Sequence, residues 1–219
     1  MRLSQWIGAV ACAAAATHAV ADVVGTRAAF DAAFPTAAFE DFEEARVADG
    51  GFALIDNVLD STTSNDVFFA NEIEDGLRLT VGLSSTEPQN LFVSSPGFAN
   101  YVSHAISFNG ANTATPQITI DFTNSDVIAF GFDVTGNPDG TPVTVDIFSG
   151  ADLLDTVDVN GTGVGTFVGF DAGSDIITSV TLSSGSVFFG VDNVAFAVPT
   201  PGSAAVLGLG ALAAARRRR

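Results

Sequence analysis

The stretch "VIAFGFDV" at residues 127–134 decides the expected fold. From Phe130 onward it alternates large apolar side chains with glycine or aspartate, and it is rich in aromatic and β-branched residues. Successive side chains of a β-strand point to opposite faces of the sheet, so this alternation predicts a strand with one buried face. The turn signal Asn137-Pro138-Asp139-Gly140 follows it and predicts the end of that strand.

Similar short runs lie on both sides of this stretch, and together they predict the fold class. They are found at residues 52–55, 67–70, 77–83, 104–108, 117–122, 143–148, 153–159, 165–170, 177–182 and 187–197. The turn signals Asn109-Gly110, Ser149-Gly150 and Asn160-Gly161 separate several of them. Many strands at short spacing with little helix predict an antiparallel β-sandwich. The absence of a longer repeat argues against a propeller or a solenoid.

One short helix is expected before the strands, in the stretch "GTRAAFDAAFP". Thr26 is placed to cap its first turn, Phe30 and Phe34 recur at helical spacing, and Pro35 ends it. The chain has 19 phenylalanines and a single tyrosine, Tyr101. Because phenylalanine buries a large area and has no polar tip to satisfy, this composition predicts a phenylalanine core.

The first 21 residues have the pattern of a secretory signal peptide. A basic start is followed by an apolar run and by Ala19-Val20-Ala21, whose small residues predict cleavage between Ala21 and Asp22. Cys12 could mark a lipoprotein, but no leucine-led lipobox precedes it. Export is therefore the first functional expectation.

The last 22 residues, 198–219, have three parts. Val198-Pro199-Thr200-Pro201 breaks regular structure, residues 202–215 are apolar or small, and a block of charge ends the chain. That block consists of Arg216, Arg217, Arg218 and Arg219. As a helix, the apolar part would be roughly 21 Å long at about 1.5 Å per residue, short against a hydrocarbon core of about 30 Å. A transient inner-membrane anchor with cytoplasmic arginines is expected, the alternative being a disordered basic tail.

This tail resembles the C-terminal sorting signal of the PEP-CTERM proteins, which bacteria export and an exosortase processes. The family usually has Val-Pro-Glu-Pro where this chain has Val198-Pro199-Thr200-Pro201. The resemblance implies three segments: a signal peptide at 1–21, a β-sandwich domain at 22–197 and a sorting segment at 198–219. It also implies signal peptidase and an exosortase-type enzyme as partners, and the cell surface or extracellular matrix as destination.

The stretch between the two tags is strongly acidic. It holds all 25 acidic residues, while its only basic residues are Arg27, Arg46 and Arg78, so its formal charge is 3 − 25 = −22. Binding to nucleic acid or to an anionic membrane surface requires basic patches, and this composition argues against both. The stretch contains no cysteine, which excludes disulfides within it.

The domain also resembles secreted jelly-roll domains that often carry such tails. The similar parts are the opening "TRAAFDAAF" with "DFEE" and the late run that ends in "FFGVDNVAF". In carbohydrate-binding modules of jelly-roll form, an early Glu and a late Asp hold a structural calcium where first and last strands are neighbours. The resemblance therefore implies a calcium site at Asp41, Glu43 and Asp192, with Asp41 and Glu43 expected on one face of a strand. The alternative is a set of solvated carboxylates on edge strands.

Other candidate sites are weaker in the sequence. His104 is the only histidine of the mature stretch, so a Ser–His–Asp triad would have to use it together with Ser103, and zinc lacks its usual ligands. Carboxylates for glycoside hydrolysis are present, but no spacing selects a pair. The glycine-rich "GTGVG" at 161–165 lacks the basic residue of a phosphate loop. Asn160-Gly161-Thr162 matches the N-glycosylation sequon and is read as a turn.

Three classes of function are therefore compatible with the chain. The first is a non-enzymatic protein of the cell surface or matrix, with a structural or interaction role. The second is a module that binds exopolysaccharide, although sugar platforms favour Trp and Tyr over Phe. The third is a glycoside hydrolase-type enzyme, for which no convergent set of acid, base and nucleophile is evident.

Overall fold

A computed structural model of the chain describes residues 22–56, 58–82, 90–109, 117–123, 126–136, 140–185 and 189–199. The expected signal peptide at 1–21, and the sorting segment from Thr200 onward, lie outside these residues. Across the described ranges, no helix combines the length and the apolar character that crossing a membrane would require.

The described residues form fourteen strands and one short helix. The early elements are β1 (Asp22–Val24), α1 (Arg27–Ala33), β2 (Ala38–Glu40), β3 (Phe52–Leu54), β4 (Val58–Asp60), β5 (Leu77–Val81), β6 (Asn90–Ser94) and β7 (Ala105–Asn109). The later strands are β8 (Ile118–Phe122), β9 (Ala129–Gly136), β10 (Val143–Ser149), β11 (Asp152–Val159), β12 (Thr166–Asp171), β13 (Ser179–Ser184) and β14 (Phe189–Ala197).

The strands form two antiparallel sheets, which confirms the expected all-β sandwich. The eight-stranded sheet has the order β1-β12-β9-β14-β7-β6-β3, with β2 paired to β14 beside β7. The six-stranded sheet has the order β11-β10-β13-β8-β5-β4. The strand β9, which contains the opening stretch from Ala129 onward, lies inside the larger sheet between β12 and β14.

The alternation seen in the sequence separates the two faces of β9. Phe130, Phe132 and Val134 are fully buried in the main hydrophobic cluster, which contains apolar residues of both sheets. Gly131 and Asp133 point to the opposite, outer face of the eight-stranded sheet. Nine of the 35 buried residues of this cluster are phenylalanine and 24 are valine, isoleucine or leucine, so the core is mainly aliphatic with a large aromatic share, and the predicted phenylalanine core is only partly found.

The helix α1 covers part of that outer face. Thr26 caps it, its hydroxyl oxygen accepting a hydrogen bond from the backbone N–H of Ala29 at 3.2 Å, which confirms the predicted N-cap. Phe30 of the helix is fully buried. It packs in a second, smaller cluster against the alanines of β9 and β14, which are Ala129, Ala195 and Ala197. Small side chains on the sheet let the helix approach closely.

Glycines on the same face receive aromatic rings. A Cβ atom at Gly131 would lie 2.5 Å from the Cζ atom of Phe167, so the Phe167 ring occupies the space that a side chain would need. Similarly, a Cβ atom at Gly190 would lie 2.9 Å from the Cε1 atom of Tyr101. These rings cover the outer face of the sheet and help to close off the polar residues beside them.

Two local predictions are wrong. Residues 67–70 were expected to form a strand but form none, because the Asn65 side chain accepts hydrogen bonds from the N–H groups of Val67 and Phe68. Asp41 and Glu43 were expected on one face of a strand, but β2 ends at Glu40. The next residues turn, with Phe42 in the left-handed region at φ 57°.

Candidate functional site

The candidate site lies where the last strand, β14, changes its pairing partner. One edge of β14 pairs with β9, while the opposite edge pairs with β7 at Gly190 and Val191 and with β2 from Val194 to Phe196. Between these two partners the register of β14 shifts after Asp192, and Asn193 adopts a φ of 53°. Bulges of this kind redirect side chains and interrupt pairing. The seam between β7 and β2 therefore gathers polar groups around Asp192.

Asp192 is a buried carboxyl at this seam, with 3% of its surface exposed. One of its oxygens accepts a hydrogen bond from the Ser103 hydroxyl, and the other accepts one from the backbone N–H of Asn193 at 2.6 Å. Burial raises the pKa of Asp192 to about 7, although these two donors oppose the shift. The nearby carboxylates of Asp133 and Glu43 add to the rise in pKa.

Asp133 lies opposite Asp192 on the neighbouring strand β9. Its Oδ2 atom accepts a hydrogen bond from the Nδ2 atom of Asn193 at 2.9 Å. Burial also raises the pKa of Asp133, while Asn193 and Arg27 lower it. Two like charges placed across a strand pair repel each other, so the pair favours a proton on one of its members.

Glu43 and His104 close the seam from the loops that follow β2 and precede β7. The Oε2 atom of Glu43 lies 2.9 Å from the Nδ1 atom of His104, and the Oε1 atom accepts a hydrogen bond from the backbone N–H of His104 at 3.1 Å. Since His104 follows Ser103 directly, a single loop provides partners for both Glu43 and Asp192. We call Glu43, Ser103, His104, Asp133, Asp192 and Asn193 the seam cluster.

Arg27 of α1 brings a positive charge to the edge of the seam cluster. Its NH1 group donates to the carbonyl oxygen of Asn193 at 3.0 Å, while its Nε group pairs with Asp31 at 2.7 Å. Its guanidinium also lies 4.5 Å from the ring centroid of Phe39. The arginine is therefore held by several partners, and it counteracts only part of the negative charge of the cluster.

A second buried acid, Glu40, lies at the end of β2. Its two oxygens accept hydrogen bonds from the backbone N–H groups of Phe42 and Glu74, both at 2.7 Å. Burial raises the pKa of Glu40 to about 7 against these donors. The bond to Phe42 stabilises the left-handed turn after β2, and the bond to Glu74 ties that turn to the loop before β5.

The turn after β2 separates the three residues predicted to bind calcium. Glu43 faces the seam cluster near Asp192, whereas the carboxylate of Asp41 lies with those of Glu40 and Glu44, with one oxygen of each within 4.8 Å of the others. The Oδ1 atom of Asp41 also accepts a hydrogen bond from the backbone N–H of Glu43 at 3.2 Å. Glu43 and Asp192 are thus linked through the adjacent residues His104 and Ser103, while Asp41 lies apart with Glu40 and Glu44; calcium binding itself stays a prediction.

The geometry around Ser103 differs from that of a catalytic triad. The Ser103 hydroxyl donates to Asp192, while the Nε2 atom of His104 lies 3.5 Å from the carbonyl oxygen of Val47. A triad needs the histidine to accept the serine proton, and its other ring nitrogen to bind the acid. Here the acid binds the serine directly, so the arrangement orients Asp192 and can hold a proton on it.

Asp133, Asn193 and Glu40 belong to these clusters although they are not among the residues predicted from the sequence. A signal for Asp133 is present, because the pattern Phe-Gly-x-Asp occurs twice, at 130–133 and at 189–192. In each copy the aspartate shares a face with the glycine. The pattern alone does not predict the strand register that places Asp133 opposite Asp192.

The only tyrosine of the chain is not available as a sugar platform. Tyr101 is 2% exposed, its ring lies against Gly190, and burial raises the pKa of its hydroxyl to about 12.

Comparisons of the chain with models of protein families, with curated proteins and with solved structures gave no match.

Proposed function

We propose that the protein is an exported, non-enzymatic component of the cell surface or extracellular matrix, sorted through its C-terminal segment. In this proposal signal peptidase cuts after Ala21, and an exosortase-type enzyme acts on the segment that begins at Val198. The inner membrane holds the chain transiently through the apolar part of that segment. The folded domain between the two cuts is a β-sandwich of jelly-roll form.

The observation that carries the proposal is the position of the last strand. The strand β14 ends at Ala197, and Val198 and Pro199, the first two residues of the expected sorting segment, continue without regular structure. The pairing of the early strand β2 with the last strand, β14, supports the jelly-roll form, in which early and late strands are neighbours.

The state of the basic residues supports a surface role without anionic partners. Arg27 pairs with Asp31, and Arg46 pairs with Glu72. Arg78 lies opposite both Asp60 and Asp121 in the six-stranded sheet. Each arginine of the domain therefore has an acidic neighbour, and none supplies the basic patch that nucleic acid or an anionic membrane would need.

Two features support a non-enzymatic role. In the seam cluster the hydroxyl of Ser103 is held by Asp192, and the carboxylates accept hydrogen bonds from backbone and side-chain donors. Such interactions orient the groups for structure. The seam cluster also joins β14, β9 and two loops, which is what a structural polar network does.

Binding of an exopolysaccharide is the second candidate, and one surface favours it. Phe52 on the edge strand β3 is 53% exposed; its ring lies tilted against Phe98, with centroids 5.0 Å apart, and meets Phe92 edge-to-face at 5.8 Å. An exposed aromatic face of this kind can stack against the apolar face of a sugar ring. A glycan array separates the two candidates: binding that is lost in Phe52→Ala supports the module, and no binding supports the structural role.

The sorting proposal is tested by following the chain in a bacterium that contains an exosortase. We expect exported protein whose N-terminal sequence starts at Asp22 and which has lost the C-terminal arginines. A variant with serine at all four positions from Arg216 to Arg219 should remain uncut or be sorted wrongly, because the charges stop translocation. A mature N-terminus that retains Trp6, or unchanged processing of the serine variant, would contradict the proposal.

A further inference from the structure

The loop between β11 and β12 carries an N-glycosylation sequon that the proposed function does not use. Asn160-Gly161-Thr162 is the single match to Asn-x-Ser/Thr, with x other than proline, in the whole sequence. The loop begins directly after Val159, the last residue of β11, and ends at Gly165, before β12. The sequon therefore lies at the first bend after an edge strand.

The conformation of this loop presents the sequon to solvent. Asn160 and Thr162 are exposed, and within the described part of the chain the Asn160 amide forms no hydrogen bond. Val164, in the same loop, is 77% exposed, the highest value among the large apolar residues that the structure describes as exposed. The exposed side chains of Asn160 and Thr162 are therefore accessible to an enzyme that acts on the folded domain.

The backbone of this loop is anchored to β9, because Thr162 forms an isolated bridge with Thr135 and Gly161 is buried, so the loop presents the side chains of Asn160 and Thr162 to an enzyme. Glycine occupies positions 161, 163 and 165, and Gly165 has a φ of 85°. The hydroxyl of Thr162 donates to the carbonyl oxygen of Gly165 at 3.0 Å, a local bond that an enzyme's own acceptor can replace. Both parts of the sequon, the amide and the hydroxyl, are thus accessible.

We propose that Asn160 is the acceptor of an N-linked oligosaccharide, transferred from a lipid diphosphate carrier. In this step the Nδ2 atom of Asn160 forms a bond to C1 of the first sugar, and the bond from C1 to the phosphate oxygen breaks. The amide nitrogen loses one proton to a base of the transferase, and the lipid diphosphate leaves with the electron pair. No oxidant or reductant is needed.

The residues around Asn160 give the modification a structural consequence. Asn160 lies at a cleft of about 300 Å³ between the edge of β11 and the strands β1 and β12. Apolar side chains dominate its lining, among them Val24, Val157 and Val168. An oligosaccharide on Asn160 would extend over the opening of this cleft and hinder another chain from pairing with the edge of β11.

An acidic residue lies two positions before the acceptor. The side chain of Asp158 is exposed on β11, and its Oδ1 atom accepts a hydrogen bond from the Thr144 hydroxyl at 2.7 Å. A transferase with a cationic subsite would recognise this carboxylate together with the sequon. Replacement of Asp158 by Asn tests that contribution without altering the acceptor or the Thr162 hydroxyl.

The inference rests on the proposed export, since such transferases modify chains on the exported side of the membrane. The experiment therefore has two arms. In the first, the full chain is produced in a bacterium with or without an oligosaccharyltransferase and its lipid-linked oligosaccharide, and the intact mass and N-terminal sequence of the protein are measured. In the second, purified folded protein is incubated with the solubilised transferase and the same donor.

We expect the mass of wild type to rise by one oligosaccharide in both arms. Asn160→Gln and Thr162→Ala should abolish the rise, and Thr162→Ser, which keeps the hydroxyl, should retain it. No addition to folded wild type, while a control acceptor protein is modified in the same reaction, overturns the proposal, as does addition that persists in Asn160→Gln. Modification in the second arm of a protein that is not exported in the first would refute the export proposal alone.

Discussion

Asp133 of β9 and Asp192 of β14 lie directly opposite each other, and Asn193 connects them. The backbone N–H of Asn193 donates to Asp192 at 2.6 Å, and its side-chain Nδ2 donates to Asp133 at 2.9 Å. This bridging requires the left-handed backbone of Asn193 at the bulge of β14. Because both carboxyls have a raised pKa, their protonation is linked to folding.

The first prediction concerns pH and the two most buried acids. The pKa of Asp192 rises from 3.8 to about 7 and that of Glu40 from 4.5 to about 7. At pH values between the unfolded and the folded pKa of each group, the folded state holds more protons than the unfolded chain, so the free energy of unfolding falls as pH rises. We expect a Tm several degrees lower at pH 8 than at pH 5, because about 1 kcal/mol shifts the Tm of a domain this size by about 2–4 °C. Thermal melts across this range at constant ionic strength check it.

The control for this prediction removes the buried charge. Asp192→Asn and Glu40→Gln eliminate the titrating groups, so each should flatten the dependence of Tm on pH. Asp155→Asn, on β11 of the six-stranded sheet, serves as the matched control and should leave the slope unchanged. A slope that stays the same in both buried variants would assign the effect to the general repulsion of the acidic domain.

A second prediction addresses the hydrogen bond between Ser103 and Asp192. Ser103→Ala removes a donor from a buried carboxyl, which typically costs about 1–3 kcal/mol. The cost should be larger at pH 8, where Asp192 is ionised, than at pH 5, where it holds its proton. Since this donor also lowers the pKa of Asp192, its loss should shift the pH transition upward. Denaturant unfolding at both pH values measures the difference, and an equal cost at both would argue against a role for the charge.

The third prediction tests the close packing of Phe167 on Gly131. Gly131→Ala places a Cβ atom 2.5 Å from the ring, so the ring must move, at a cost of about 1–3 kcal/mol. Gly25→Ala is the matched control, because no atom lies within 4 Å of the position of its Cβ. The double variant with Phe167→Leu should recover part of the loss. Equal stability of the two alanine variants in denaturant would contradict the packing argument.

The sequence predicted the parts of the fold that have strong local signals. The long strands β9, β10 and β14, the short helix α1 and its cap at Thr26 were all anticipated, because alternation and capping chemistry are read from neighbouring residues. The three-residue strands β1, β2 and β4, and also β6, were not. Three-residue strands depend on pairing with partners distant in the chain, and a local pattern contains little information about that pairing. The inner strand β6 is buried from Leu91 to Ser94, so it lacks the alternation that marks a half-exposed strand.

The seam cluster was only partly predictable for the same physical reason. Glu43 and Asp192 were singled out by resemblance. Asp133 belongs to the cluster because the register of β9 and β14 places it opposite Asp192, and Ser103 belongs to it because the loop before β7 brings its hydroxyl to Asp192. The separation of Asp41 from Glu43 depends on a local bond: the Glu40 carboxylate accepts from the N–H of Phe42 and allows a left-handed residue there. Side-chain bonds of this kind compete with strand formation, and hydrophobic pattern does not predict them.

The last prediction concerns calcium. Glu43 and Asp192 lie close enough for the first to raise the pKa of the second, so a divalent cation between them would relieve repulsion. Such binding would add roughly 2.7 kcal/mol at about a hundred times the Kd. We therefore expect millimolar calcium to raise the Tm in about 0.15 M sodium chloride, where the Debye length is about 8 Å and general screening is largely complete. Glu43→Gln and Asp192→Asn should lose this rise, and Asp155→Asn should keep it. Asp41→Asn distinguishes two arrangements: a retained rise means that Asp41 stays with Glu40 and Glu44, and a lost rise means that Asp41 joins the ion. A wild-type rise no larger than that given by sodium chloride of equal ionic strength would rule out the site.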